Sequence, residues 1–282
     1  MRNIKRVSVL NLSSLMIQLV LWIVIHFKMI NAKNVHEVFA QSDSLLTPAG
    51  ITFSIYGFIA IALIAFCVYH MILAYRHTPD HPASNDLHHV GYWFIINNMA
   101  AAGWLIAWTH AYTGTSVLLI FVQLISLIVI NLRTGLYDTG RSIGSKIFTQ
   151  FPLSIYTGWI AMITIANVAV YLSVSNWNGF GLSATNWSKI IISMAVLITL
   201  VVIVTRGNIS YGLVILWVLY GVILRLEGIG ANHYADIIQT VWIGMAVISF
   251  TSVIQLFRNV LSYGPESTRF LDASPVRENV RI

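Results

Sequence analysis

Eight apolar stretches, each long enough to cross a bilayer, constrain the fold of this chain more than any other feature. A membrane helix needs about 20 mostly apolar residues, because the hydrocarbon layer is about 30 Å thick and each helical residue rises about 1.5 Å. The stretches are continuous rather than alternating, which favours helices over the strands of a β-barrel. We therefore predict an all-α integral membrane protein with eight transmembrane helices. The predicted spans are 7–27, 50–74, 90–112, 116–132, 148–174, 187–205, 210–226 and 234–257.

The composition excludes several classes of protein. Of the 282 residues, 57% are hydrophobic and 9% are charged, whereas soluble domains carry roughly 25% charged residues. A soluble enzyme or a nucleic-acid-binding protein of this composition would expose large apolar patches to water. The single cysteine, Cys67, excludes a disulfide within the chain and a metal site built from several cysteines.

The distribution of Lys and Arg predicts the orientation. With eight spans both termini lie on one side of the membrane, and 12 of the 16 basic residues fall on that side. Basic loops stay in the cytoplasm. We therefore expect a multi-pass protein of a bacterial plasma membrane with both termini in the cytoplasm. The four basic residues on the other side are Lys28, Lys33, Lys189 and Arg225.

Two predicted helices combine large aromatic residues with an amide on one face, because spacings of three and four residues keep side chains on one side of a helix. Such a face suits a mostly apolar ligand cleft with a few orienting polar groups. Buried amides also join helices, and aromatic rings also fill cores, so both interpretations remain open. The faces are Asn97, Ala101, Trp104 and Trp108 in the third span, and Pro152, Tyr156, Trp159, Ile163 and Asn167 in the fifth.

The sequence contains no recognisable catalytic motif. It has no H-E-x-x-H, no G-x-S-x-G and no pair of acidic residues at membrane depth, so we do not expect an enzyme. We also predict no metal site and no required cofactor. A group of charged residues near the junction of the seventh and eighth spans fits an interfacial charge cluster or a substrate gate. The group consists of Arg225, Glu227, His233 and Asp236.

Three motifs are similar to those of the tryptophan-rich sensory protein family, also known as the translocator protein or peripheral benzodiazepine receptor family. They are P-x-x-x-x-F-x-I-Y from Pro48, N-N-x5-W from Asn97, and P-x-x-x-Y-x-x-W-x7-N from Pro152. The resemblance implies a five-helix core in residues 1–174, followed by a three-helix extension in 175–258 and a cytoplasmic polar tail in 259–282.

The same resemblance implies a pocket for tetrapyrroles, sterols and synthetic aromatic ligands among the five core helices. The W-x-P-P-like stretch that usually precedes the second span is reduced here to Leu45-Leu46-Thr47-Pro48. Taken together with the two helix faces, the motifs give nine candidate ligand-binding residues. They are Pro48, Phe53, Tyr56, Asn97, Trp104, Trp108, Tyr156, Trp159 and Asn167.

The sequence therefore predicts a membrane-embedded binding protein, a sensor or regulator, for a hydrophobic aromatic molecule such as a tetrapyrrole or a sterol-like lipid. The predicted cleft lies among spans two, three and five. A transporter of small amphipathic molecules is the main alternative, and an intramembrane enzyme is the third. The expected partners are membrane lipid, the hydrophobic ligand and a second copy in a homodimer, with no nucleic acid.

Overall fold

The computed structural model describes residues 4–30, 33–42, 44–77, 85–135 and 142–261, and within these ranges it contains helices and no strands. The predicted all-α class is confirmed. In chain order the α-helices are α1 Ile4–His26, α2 Val35–Ala40, α3 Ile55–Arg76, α4 Asn85–Val90, α5 Trp93–Thr109, α6 Thr113–Thr134, α7 Ile143–Ser145, α8 Phe151–Val174, α9 Ala184–Arg206, α10 Ile209–Gly230 and α11 Ala235–Leu261. Short 3-10 turns, Gly50–Ser54 and Gly179–Gly181, and a π-helical turn, Lys146–Gln150, complete the list.

Seven helices of the described chain are long and apolar enough to cross a membrane, so the protein is a multi-pass membrane protein. The remaining long helix, α5, has 17 residues and a length of about 26 Å, slightly less than the hydrocarbon thickness. The predicted third span, 90–112, is shorter in the structure because Gly91 adopts a left-handed conformation with φ 51° between α4 and α5. An eight-span count therefore depends on α5.

Five of the long helices form a closed ring in the order α1, α3, α8, α6 and α5. The last three long helices, α9 to α11, form a C-terminal unit in which α10 contacts the ring through α8. The two helices approach closely at Gly158, where an added Cβ would lie 3.2 Å from the Tyr211 carbonyl oxygen. From residue 262 onward, the predicted tail lies outside the described residues.

The α1–α3 segment, residues 33–54 without residue 43, lies across the end of the ring where α1 finishes and α3 begins. Its helix α2 is fixed by a capping box, in which Asn34 and Glu37 each bond the other's backbone N–H. The helical turn that opens the second span begins at Gly50, the first residue of the predicted span 50–74. Pro48 therefore belongs to the segment rather than to the helix.

Candidate functional site

A small cavity of about 30 Å³ lies inside the five-helix ring, and every helix of the ring contributes to its lining. Four buried polar atoms of the lining residues have no hydrogen-bond partner: Gln18 Oε1, Trp104 Nε1, Gln123 Nε2 and Tyr156 Oη. Each unpartnered buried polar group costs about 1–3 kcal/mol. A cavity that gathers two N–H donors, an acceptor and a phenol is therefore suited to a polar group of a ligand or to water.

A larger cavity of about 310 Å³, which we call the vestibule, lies between the end of α1, α2 and the start of α3. The side chains of Trp22 and Tyr56 line both the vestibule and the inner cavity. Their ring centroids are 6.2 Å apart, so these two rings lie at the passage between the two spaces. His26 and His36 also line the vestibule.

Aromatic rings form a continuous wall around this passage. Phe53 and Tyr56 meet the ring of Trp159 edge-on, with centroids 5.7 Å and 5.0 Å away. Trp108 packs against Phe39 with centroids 4.2 Å apart. Edge-to-face and offset aromatic pairs each contribute about 0.5–1.5 kcal/mol beyond area burial. These ring contacts therefore hold the wall together.

Four of the nine candidate residues line a cavity: Phe53 lines the vestibule, Trp104 and Tyr156 line the inner cavity, and Tyr56 lines both. Trp108 and Trp159 are fully buried directly behind these rings. The indole N–H of Trp108 donates to the Val35 carbonyl oxygen at 3.2 Å. Trp108 thus attaches α2 to the ring, which gives it a supporting position.

The remaining three candidates lie away from both cavities. Asn97 donates from Nδ2 to the Gln123 carbonyl oxygen and to Ser126 Oγ, both at 3.0 Å, and so joins α5 to α6. Asn167 exchanges hydrogen bonds with Ser116 and joins α8 to α6. Pro48 is buried but lines neither cavity. For the two amides the structure shows the helix-joining alternative.

Sequence reasoning did not select five residues that line the cavities: Gln18, Trp22, His26, His36 and Gln123. Gln18 and Trp22 are four residues apart on α1, so an amide and an aromatic ring share a face there as well. That signal was available, but α1 lies outside the three motifs. Nothing local in the sequence indicates that the side chain of His36 approaches the five-helix ring.

The C-terminal unit holds the vestibule wall in place through residues spaced four apart on α10. Trp217 Nε1 donates to the Thr52 carbonyl oxygen at 3.0 Å, and the Ala49 N–H donates to the Gly221 carbonyl oxygen at 2.8 Å. A Cβ on Gly221 would lie 1.9 Å from Thr52 Oγ1, so glycine is required for this approach. The contacts fix the turn that carries Phe53.

Arg225, one helical turn further along α10, completes what we call the α10 clamp, Trp217, Gly221 and Arg225. Its Nη2 donates to the Ser42 carbonyl oxygen at 3.1 Å. The predicted charge cluster is thus arranged differently, because Arg225 bonds backbone of the α1–α3 segment while Asp236 lies 3.9 Å from Lys189. A guanidinium with its fixed fork of donors suits backbone carbonyl oxygens.

Electrostatic features at the vestibule are few. Lys28, just after α1, forms an ion pair with Glu37 on α2. The hydrogen bond from the Lys28 ammonium lowers the pKa of the Glu37 carboxyl below its ordinary value. In the part of the chain that the structure describes, no group of three or more His, Cys, Asp or Glu side chains could hold a metal ion.

A ring of apolar helices around an aromatic-walled, partly polar interior defines a multi-pass membrane protein with a small cavity inside its bundle. Comparison with protein families shows the family to which the chain belongs. The TSPO-like protein family matches residues 8–254, and the chain belongs to that family. The predicted resemblance is therefore confirmed, and the match extends through most of the C-terminal unit. No curated protein and no solved structure matches the chain.

Proposed function

We propose that this protein is a membrane-embedded sensor or regulator that binds an amphipathic aromatic molecule of the tetrapyrrole or sterol-like class. The aromatic body of the ligand occupies the vestibule against Trp22, Phe53 and Tyr56. A hydrogen-bonding group of the ligand extends between the rings into the inner cavity. The vestibule volume of about 310 Å³ falls at the lower end of the range of about 300–1,000 Å³ for small-molecule sites.

The observation that carries this proposal is the set of four unpartnered polar atoms around the inner cavity. At about 30 Å³ this cavity has room for one or two water molecules. A carbonyl, carboxyl or hydroxyl group fits the same space and would accept from Trp104 and Gln123. The inner cavity is too small for a macrocycle. It therefore binds the polar group of the ligand, and the vestibule binds the aromatic body.

Titration of the purified protein with protoporphyrin tests the proposal through quenching of tryptophan fluorescence. We expect saturable quenching, with the Kd raised about 5- to 10-fold in Tyr156→Phe, because one hydrogen bond is worth about 1 kcal/mol. Trp22→Ala removes a vestibule wall and is expected to weaken binding further. A sterol that competes with the porphyrin would place both ligands in one site.

Trp242→Phe provides the matched control, because Trp242 lies on α11, about half exposed and far in the fold from either cavity. This variant should bind protoporphyrin with the same Kd as the original protein. Absence of saturable binding of any porphyrin or sterol would overturn the proposal. Equal Kd values for Tyr156→Phe and the original protein would show that the ligand's polar group does not bind in the inner cavity.

A transport function has one observation in its favour. Polar groups without partners continue beyond the inner cavity toward the other end of the ring: both amide atoms of Asn11, Oδ1 of Asn98 and Nδ1 of His70. Asn11 and Gln18 share one face of α1, seven residues apart. Gradient-driven uptake of porphyrin into vesicles, abolished by Asn11→Leu while equilibrium binding is retained, would favour a transporter over a sensor.

We also infer that both chain ends face the cytoplasm and that the vestibule opens on the opposite side, on the basis of the Lys and Arg distribution. Single cysteines at exposed positions test this in a Cys67→Ser background. Met29→Cys near the vestibule should react with an impermeant maleimide in intact cells, whereas Leu261→Cys should react only after lysis. The reverse pattern would invert the topology.

A further inference from the structure

The junction between the ring and the C-terminal unit contains a second space, independent of the site described above. An open groove of about 520 Å³ lies between α6, α8 and α9, with Tyr211 of α10 at one end. Its lining is mostly aliphatic. Ala161 and Ala169 on α8 and Ala195 on α9 keep it wide, because their small side chains leave the space between the helices unfilled.

The groove has the length of a lipid chain. On α8 it extends from Thr157 to Leu172, which lie 15 positions apart and therefore about 22 Å apart along the helix axis. One leaflet of the hydrocarbon layer is about 15 Å thick. A single extended acyl chain of one leaflet therefore fits within the groove along its whole length.

Both ends of the groove are defined by polar structure. At one end Thr157 accepts a hydrogen bond from Asn131 Nδ2 at 2.8 Å, which ties α8 to α6 and closes the groove. At the other end Ala169, Leu172 and Ile191 also line a second space of about 450 Å³, which we call the mouth. The groove and the mouth are therefore continuous.

The mouth combines aromatic and uncharged polar side chains. Trp177 and Trp187 lie there with ring centroids 5.1 Å apart, an arrangement typical of the membrane–water interface. Among the described residues, no charged side chain lines the mouth. The nearest charged group on α9, Lys189, lies 3.9 Å from Asp236 on α11. The polar side chains that line the mouth are Ser44, Ser173, Asn176, Asn178 and Ser188.

We propose that the groove and its mouth bind one glycerolipid with an uncharged head group, such as a diacylglycerol or a glycosyl diacylglycerol. One acyl chain lies along α8 between Leu172 and Thr157, and the hydroxyl-bearing head lies among the Asn and Ser side chains of the mouth. A phosphate would enter without a cationic partner, which is costly for a partly buried anion. The uncharged lining therefore selects against anionic phospholipids.

Two neighbouring residues of α9 give a matched test. Ile198 lines the groove and Leu197 does not, although both are aliphatic and more than half exposed, at 51% and 62%. Ile198→Trp should obstruct the groove, whereas Leu197→Trp adds the same ring to a face outside it. Ala161→Trp fills the groove from α8 and provides a second, independent obstruction.

The experiment is native mass spectrometry of the full chain after exchange into mixed micelles. The micelles contain equal amounts of diacylglycerol, phosphatidylcholine and phosphatidylglycerol with identical chains. We expect one diacylglycerol per protein, at least fivefold enriched over phosphatidylglycerol, and at least a fivefold loss of it in Ile198→Trp but not in Leu197→Trp. Porphyrin titration of the same samples should give an unchanged Kd for Ile198→Trp, which separates this site from the vestibule.

Four results would overturn the proposal. Equal retention of the three lipids would show an unselective annular layer, and preferential retention of phosphatidylglycerol would show recognition of the anionic head. Equal lipid retention in Ile198→Trp and Leu197→Trp would locate the lipid elsewhere. Ala161→Trp must also lose the lipid, and retention in that variant would exclude the groove even if Ile198→Trp had rearranged.

Discussion

The five-helix ring contains more buried polar atoms without a hydrogen-bond partner than the C-terminal unit does. In the described residues of α1, α3, α5, α6 and α8, buried side-chain N and O atoms without a hydrogen-bond partner occur throughout the ring. In the described residues of α9 to α11 such atoms occur on Arg225 and Ser252. Four of the five ring helices and all three helices of the C-terminal unit are long and apolar enough to cross a membrane. In the ring these atoms belong to Asn11, Gln18, His70, Asn97, Asn98, Trp104, Gln123, Tyr156 and Trp159.

This difference indicates which region is shaped for stability and which for binding. Unpartnered polar groups lower the stability of the ligand-free protein, so their concentration in the ring is consistent with a site that a ligand completes. The C-terminal unit instead places glycine at close helix contacts and directs side chains of α10 to the backbone of the α1–α3 segment. It supports the vestibule without entering it.

The largest effect is expected where the two regions touch, at Gly221. Gly221→Ala places a Cβ against Thr52, which should lower the free energy of unfolding by about 1–3 kcal/mol and weaken porphyrin binding, because Phe53 moves with Thr52. Thermal unfolding in detergent and fluorescence titration measure the two effects.

Gly228→Ala is the matched control for this change, since it lies on the same helix with no atom within 4 Å of an added Cβ. It should be neutral or stabilising by up to about 1 kcal/mol, as expected for Gly→Ala in a helix. Wild-type porphyrin affinity in Gly221→Ala would show that α10 does not position the vestibule wall.

An intermediate effect should distinguish the two kinds of amide within the ring. Gln18→Leu removes an unpartnered acceptor, so the ligand-free protein should be as stable as the original or more stable, while the porphyrin Kd rises several-fold. Asn97→Leu also removes an unpartnered acceptor, Oδ1, but it loses two hydrogen bonds as well, so stability should fall by about 1–3 kcal/mol. A fall in stability for Gln18→Leu would mean that its amide is satisfied within the protein.

The smallest effect concerns the ion pair between Lys28 and Glu37 at the vestibule. The Glu37 pKa is lowered in the folded protein, so the pair stabilises the fold above the ordinary carboxyl pKa, and this contribution is lost as pH falls through the lowered value. Because the pair is exposed, salt should weaken it. Glu37→Gln should remove this part of the pH dependence of the melting temperature. An unchanged dependence of the melting temperature on pH in the acid range would contradict this prediction.

The motifs of the sequence identified part of the candidate site because helical spacing decides which residues share a face. Trp104 and Tyr156 lie on two predicted faces and both reach the inner cavity. Spacing cannot decide whether an amide on such a face bonds a neighbouring helix, and Asn97 and Asn167 do so. The contribution of α1 was missed because Gln18 and Trp22, although they share one helix face, lie outside the three motifs.

The sequence by itself determined that the chain is a bundle of apolar helices and to which family it belongs, since apolar length and local motifs are properties of contiguous residues. Tertiary structure alone decided that α10 fixes the α1–α3 segment. The contacts join Trp217 to Thr52, 165 positions apart in the chain, and Arg225 to Ser42, 183 positions apart. It also decided which buried polar atoms lack partners. Partnership depends on the distances between helices, which no local pattern records.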